Sequence, residues 1–360
     1  MGNRFCIGLI LFFLFPIFIL SSCQKSRPAA AKAEMPLFVL QETPESLLAF
    51  RATWMLDAGT LKVDAHPSFT LKGVGGTDVP QLYWDGGPQV YIFTEREGKP
   101  AVMNHGTALQ AIAVPRTGLP PGAMAPVFYA SGNRRYVAYG VGNNLGIVET
   151  GPDGVKKRFF PAPEASGELV PLFLAEREGR LVVLTVLNKP TAAEKLFLVR
   201  IDAAGKAAWV PVAKKGDPHC SFLADAAVKV GLSGQRLYLE SPCGGEIQSL
   251  SLEDEKPQLV SEESLMRELK AVKIKNAPTE GEVRSSFGAY RGLLLVSTLT
   301  GGVQGRGDEI KWLLVFKEGR LLGKMAVRLG SGEATVYANG ATKHYRLPPR
   351  AARLLYPAEW

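Results

Sequence analysis

The chain is poor in the side chains that most often carry chemistry. Its four histidines, His66, His105, His219 and His344, are isolated from one another in sequence. There is no G-x-S-x-G nucleophile elbow, no Walker loop and no H-E-x-x-H pair. Carboxylate pairs such as Glu262-Glu263 and Asp308-Glu309 fall in polar turns or helix starts, where a solvated charge pair is the simplest reading. No catalytic residue, cofactor or metal ligand is therefore assigned. Basic residues are not scarce but are unclustered: 42 Lys and Arg spread over 360 residues give a net charge of +8. A dedicated nucleic-acid binder would concentrate them, so nucleic acid is excluded as a partner. Charged residues make up 21% and hydrophobic residues 46%, which excludes a disordered chain and permits a sizeable core.

Cysteine is scarce too, and each of the four has a place. Cys6 lies in an uncharged run that extends to Leu20 behind Arg4, a pattern with the length of a signal-peptide h-region and too short to span a bilayer comfortably. Leu20-Ser21-Ser22-Cys23 follows. This resembles the lipobox of bacterial lipoproteins. The resemblance implies cleavage before Cys23, a diacylglycerol thioether on its sulfur and acylation of the new N-terminus. Several acyl chains on one residue give a firm bilayer anchor, since each buried CH₂ contributes about 0.8 kcal/mol.

Gln24, rather than Asp, follows that cysteine. By the resemblance, this implies the outer membrane and a domain facing the periplasm, with the inner membrane or the cell surface as alternatives. Residues 1–22 are thus expected to be the signal peptide and 23–36 (Ala-, Lys- and Pro-rich) a flexible tether. Cys220 and Cys243 remain in the mature domain, and an even pair in an exported chain is most simply a disulfide. A metal site at Asp217, His219 and Cys220 would need a second close ligand pair, which Cys243 does not bring.

Gly 38 and Pro 25 point to a turn-rich β protein. Apolar strand-like runs sit at Val90–Phe93, Tyr136–Tyr139, Leu181–Leu187, Leu237–Leu239, Leu293–Val296 and Thr335–Tyr337. Several follow a tight glycine turn, as at Gly86-Gly87, Gly132-Asn133, Gly179-Arg180, Gly234-Gln235 and Gly292, where glycine supplies the positive φ of a hairpin. Further strands follow, with turns at Gly151-Pro152-Asp153-Gly154, Asp202–Gly205 and Lys317-Glu318-Gly319. The period of about 45 residues matches one blade of a β-propeller. The expected fold is all-β, a propeller of seven blades, or of six, over residues 37–360. In a seven-bladed ring an N-terminal strand would complete the last blade and remove an exposed edge. Two packed β-sandwich domains are the competing architecture. Short helical insertions are expected at 261–270, with Ser261 as cap and Leu265, Met266, Leu269 and Val272 on one face, and at Thr43-Pro44-Glu45-Ser46.

LVRIDAAGKAAW at 198–209 resembles the repeat of quinoprotein-type propellers, in which Asp, Gly and Trp recur around a turn. The resemblance implies that Asp202 and Gly205 shape the turn and that Trp209 docks between blades. It covers about twelve residues. It does not extend to a quinone cofactor, because the vicinal cysteines that some such dehydrogenases carry are missing. Lipobox, size and repeat together are also similar to the lipid-anchored propellers of the outer-membrane β-barrel assembly machinery, which implies a binding scaffold.

The expected work is accordingly non-catalytic: a disc held at the bilayer by Cys23 that binds an envelope protein or glycan. An envelope hydrolase or lyase with its site in the channel mouth is the alternative. Tyr83-Trp84-Asp85-Gly86-Gly87 would display Trp84 at a hairpin tip as a binding contact. The Gly301–Gly307 stretch, with Gly302 and Arg306, has the glycine content of a phosphate cradle but lies between strands, so it reads as a hairpin loop able to reach a partner.

Overall fold

The computed structural model describes residues 33–72, 81–84, 89–93, 101–104, 110–111, 120, 122–131, 134–189, 192–213, 230–240, 246–275, 285–300, 310–328, 330–348 and 351–357. They form an all-β chain of six antiparallel sheets with one helix among the described residues.

Sheet I holds β1 (Glu34–Glu42), β2 (Ser46–Met55), β3 (Thr60–Val63) and β4 (Phe69–Lys72), the last two pairing with opposite ends of β2. Sheet II is β5 (Gln81–Trp84), β6 (Gln89–Phe93), β7 (Ala101–Asn104) and β8 (Gln110–Ala111). Sheet III is β9 (Met124–Ser131), β10 (Arg134–Val141), β11 (Asn144–Gly151) and β12 (Gly154–Pro161). Sheet IV is β13 (Glu168–Arg177), β14 (Arg180–Lys189), β15 (Ala192–Ile201) and β16 (Ala207–Pro211). Sheet V is β17 (Val230–Ser233), β18 (Arg236–Glu240), β19 (Ile247–Ser251) and β20 (Val260–Ser261), followed by helix α1 (Glu263–Lys275). Sheet VI runs through β21 (Ser285–Tyr290), β22 (Leu293–Thr300), β23 (Ile310–Lys317), β24 (Arg320–Arg328), β25 (Glu333–Ala338) and β26 (Ala341–Arg346).

The final strand, β27 (Ala351–Leu355), returns to pair with β1 in sheet I. The first and last strands of the described residues thus share a sheet. β1 opens at Glu34, inside the stretch expected to be tether.

Tight turns drive the meanders. Glu178-Gly179, Arg291-Gly292, Glu318-Gly319 and Asn339-Gly340 all have positive φ at both central residues, the geometry that matches the twist of paired strands. Strands between them read as continuous apolar runs because both faces are covered: β14 is buried from Leu181 to Leu187. Five of the six expected runs are the second strands of sheets II to VI, β6, β10, β14, β18 and β22. The sixth, Thr335–Tyr337, lies in β25, part of a hairpin added to the outside of sheet VI.

That hairpin latches onto sheet I. Asn339 Nδ2 donates to the Asp57 carbonyl at 2.8 Å, Lys343 Nζ to Ala58 at 2.8 Å and the Tyr345 hydroxyl to Gly59 at 3.1 Å. The first strands of neighbouring sheets lie side by side, β9 by β13, β17 by β21 and β27 by β5. One apolar cluster joins sheets III, IV and V, a second joins I and VI, a third I and II, and a fourth V, α1 and VI. Consecutive four-stranded meanders, touching along their first strands and closed by a strand from the far end of the chain, have propeller-like connectivity.

Two local expectations change. Ser261 pairs with Gln248 as the end of β20 rather than capping a helix. Helix α1 starts one residue later, at Glu263, with Met266 N–H donating to Glu262 C=O at 3.0 Å, and Leu265, Leu269 and Val272 are buried as the periodicity requires. Thr43 and Ser46 do not open a helix. Thr43 N–H donates to Ser46 C=O at 2.8 Å and Ser46 N–H to Thr43 Oγ1 at 2.9 Å, closing the turn between β1 and β2. Side-chain oxygens that cap helices serve turns equally well, and here strand pairing decides.

Candidate functional site

Side chains with charge or hydroxyls converge where sheet III meets sheet IV. On β9 to β12 one cross-strand row is Tyr129, Tyr136, Glu149 and Lys156, because Tyr136 opposes both Tyr129 and Glu149, and Glu149 opposes Lys156. The two tyrosine rings stack at 5.9 Å. Tyr136 donates its hydroxyl to Glu176 Oε2 at 3.4 Å and Tyr129 donates to the Glu176 carbonyl at 3.5 Å, both across to the end of β13. Glu149 receives Arg158 Nη2 at 2.9 Å and has Arg134 Nη1 at 3.7 Å.

Arg158 reaches on toward the Asp202–Gly205 turn of sheet IV. A β-carbon on Gly205 would stand 3.3 Å from its Nη1. That turn is shaped as the sequence implies: Gly205 has φ +83°, Gly205 N–H donates to Asp202 C=O at 2.9 Å, and Lys206 N–H to Asp202 Oδ1 at 2.8 Å. Trp209, half-buried, meets Phe197 of its own sheet edge-on at 5.8 Å and packs on the core that joins sheets III to V.

Burial, first of all, pushes the Tyr136 phenol above its ordinary value; the Arg134 hydrogen bond opposes this, and Glu176 and Glu149 reinforce it. The same Tyr136 contact, together with Glu149, holds the Arg134 guanidinium above its usual value. A neutral phenol and two guanidiniums on the one Glu149 carboxylate form a polar seam on sheet III, and the tyrosine hydrogen bonds to Glu176 tie it to sheet IV. Among the described residues no group of three or more His, Cys, Asp or Glu could hold a metal ion. No described helix is long and apolar enough to cross a membrane.

The strand that supplies Lys156 and Arg158 is β12, the last strand of sheet III, reading GVKKRFFP. Val155 is 56% and Phe159 53% exposed, while Phe160 beside them is buried. Phe159 meets the buried Tyr139 ring edge-on at 6.2 Å. In the sequence this segment is marked only by the Gly151-Pro152-Asp153-Gly154 turn that precedes it. Its signal was two phenylalanines and a valine among three consecutive basic residues in a two-sided strand.

The expected binding contact at Trp84 is corrected. Trp84 ends β5 and is 1% exposed, its ring 4.7 Å from that of Phe38 in the apolar layer between sheets I and II. The hairpin-tip reading fails because β5 turns this residue inward, where a large aromatic fills the gap between sheets. Tyr83 lies on β5, and its side chain is outside the described residues, as are Gly302, Arg306, Cys23, Cys220 and Cys243. His344 is exposed, its Nδ1 3.2 Å from Thr335 Oγ1, and His66 is exposed as well; neither adjoins the seam.

No protein-family model matches the chain, and no relative is found among curated proteins. Similar solved structures include a periplasmic gluconolactonase of Pseudomonas aeruginosa at 12% identity and TM-score 0.45, covering 91% of this chain and 99% of that one. A putative 6-phosphogluconolactonase of Bacteroides uniformis is similar at 11% identity and TM-score 0.45, over 90% of this chain and 99% of the other. Virginiamycin B lyase of Staphylococcus aureus follows at 10% identity and TM-score 0.32, over 89% and 90%. At such identities and scores no activity passes to this chain.

Proposed function

We propose that this protein is a lipid-anchored β-propeller of six blades that faces the periplasm from the outer membrane and holds an envelope protein there as a non-catalytic scaffold. The anchor rests on Leu20-Ser21-Ser22-Cys23 and the segment before it. The blade number is supported by six sheets, the return of β27 to sheet I, and the place of Thr335–Tyr337 in an added hairpin rather than a seventh meander. The observation that carries the scaffold reading is the exposure of Val155 and Phe159 on β12, on a strand that also presents Lys156 to solvent. An exposed apolar pair rimmed by polar residues is what a partner site would present, and it supports this reading.

The test is lysine crosslinking in living cells of the Cys23-anchored protein, with mass spectrometry of what co-purifies. One envelope protein in stoichiometric yield is the expected result, and replacing Cys23 by Ser moves the protein out of the membrane fraction. Absence of any protein partner sinks the reading.

A further inference from the structure

The pairing of β12 fixes which of its backbone groups face outward. Ala162 N–H donates to Asn143 C=O at 2.9 Å. Bonded pairs of an antiparallel ladder recur at every second residue. Phe160 with Leu145, Arg158 with Ile147 and Lys156 with Glu149 are therefore the bonded pairs. Val155 and Phe159 fall between them, so their N–H and C=O groups point away from β11. Four residues apart on a strand, their side chains stand on the same face. Among the described residues only three large apolar side chains are exposed, and these are two of them.

The charge at this edge is positive. Lys156 is exposed, and Arg134 and Arg158 share the single carboxylate of Glu149. Lysine on an edge strand ordinarily deters another strand from pairing. Such protection does not place an exposed valine and phenylalanine on the same strand, and its repulsion becomes attraction for a strand that carries carboxylates.

We propose that β12 takes up an extended acidic segment of the partner as an added strand, with main-chain bonds at Val155 and Phe159, apolar contacts on those two side chains and carboxylates set against Lys156. This rests on the scaffold reading and names the chemistry of its partner. Strand addition draws affinity from the main chain and specificity from alternate side chains.

The probe is a synthetic peptide of roughly ten residues that alternates Glu with Val and Phe, long enough to match an ordinary strand. It is titrated into the full-length protein in neutral detergent, with amide hydrogen exchange read along β12. Saturating peptide is expected to slow exchange at the Val155 and Phe159 amides, and added salt to weaken binding. Lys156→Glu and Val155→Pro are each expected to raise Kd by roughly tenfold. If Val155→Pro fails to fold by circular dichroism, Phe159→Asp takes its place.

A peptide with Lys in place of Glu that binds equally well overturns the proposal. So does full binding by the proline variant, or no binding at all. Phosphatidylglycerol vesicles that protect β12 where the peptide does not would make this a membrane-facing edge instead. A crosslinked envelope partner that leaves β12 unprotected ends this proposal and leaves the scaffold standing. Peptide binding without any partner in cells ends the scaffold reading alone.

Discussion

A β-carbon built on Gly140 would stand 1.5 Å from the carbonyl oxygen of Leu169. The two residues belong to β10 and β13, and the Leu169 N–H donates to Gly142 C=O at 2.8 Å, so sheets III and IV meet backbone to backbone here. Similar contacts recur at other sheet junctions: a β-carbon on Gly231 would meet Phe287 Cβ at 2.2 Å, and one on Gly288 the Pro357 carbonyl at 2.5 Å.

Gly140→Ala therefore forces the two sheets apart. Overpacking ordinarily destabilises by about 1–3 kcal/mol, and a backbone carbonyl cannot rotate away as a side chain can. We expect the upper end of that range or failure to fold, read as a lower urea midpoint. An unchanged midpoint would mean that the sheets are spaced otherwise.

Trp84 and Phe159 should behave oppositely. Trp84 fills the layer between sheets I and II, so Trp84→Ala is expected to remove about 3–5 kcal/mol of stability. Phe159→Ala, at an exposed position, should change stability by less than about 0.5 kcal/mol while reducing partner capture. Thermal melts and quantitative crosslinking on the same pair of variants separate the two roles.

These two aromatics show what the sequence could and could not convey. Second strands such as β14 were legible because both faces are covered, which leaves an unbroken apolar run bounded by glycine turns. The turn at Asp202–Gly205 was legible from its residue types alone. Direction was not: Trp84 and Phe159 both lie on strands, and only the neighbouring sheet determines that one is buried by Phe38 and the other left open. The place of Thr335–Tyr337 failed to emerge for a related reason. Thr335–Tyr337 has the pattern of a second strand, yet its hairpin extends sheet VI and is held by contacts with residues 57–59, some 280 positions earlier. The seam of Tyr136, Glu149, Arg158 and Glu176 draws on two sheets, and no local spacing announces it.

Cys220 and Cys243 lie outside the described residues, and their pairing is a chemical expectation of an exported chain. The mature protein should carry no titratable thiol until it is reduced. Closing a loop of about 23 residues contributes roughly 3 kcal/mol in the chain-entropy model. The double Cys→Ser variant is expected to lose about that much, with unreduced wild type as reference. Two free thiols per chain in protein isolated from the envelope would refute the pairing.

Glu164 offers a test in pH. It sits in the connection from β12 to β13 and accepts hydrogen bonds from Lys189 and from Lys195 at 2.5 Å, while Asn143 Nδ2 donates to its carbonyl at 3.2 Å. The Lys189 and Lys195 hydrogen bonds, in that order, lower its pKa below the ordinary glutamate value. A carboxylate with a depressed folded pKa stabilises the fold above its unfolded pKa of about 4.3. That contribution disappears as pH falls through the lower, folded value. Wild type should therefore exceed Glu164→Gln in urea midpoint at pH 7, and the two should converge below about pH 4. The carbon-13 shift of the Glu164 carboxyl should titrate below a free glutamate, and Lys189→Met should move its midpoint back upward. A constant gap between the two proteins down to acid pH would show that packing, not the pair of lysines, gives Glu164 its effect.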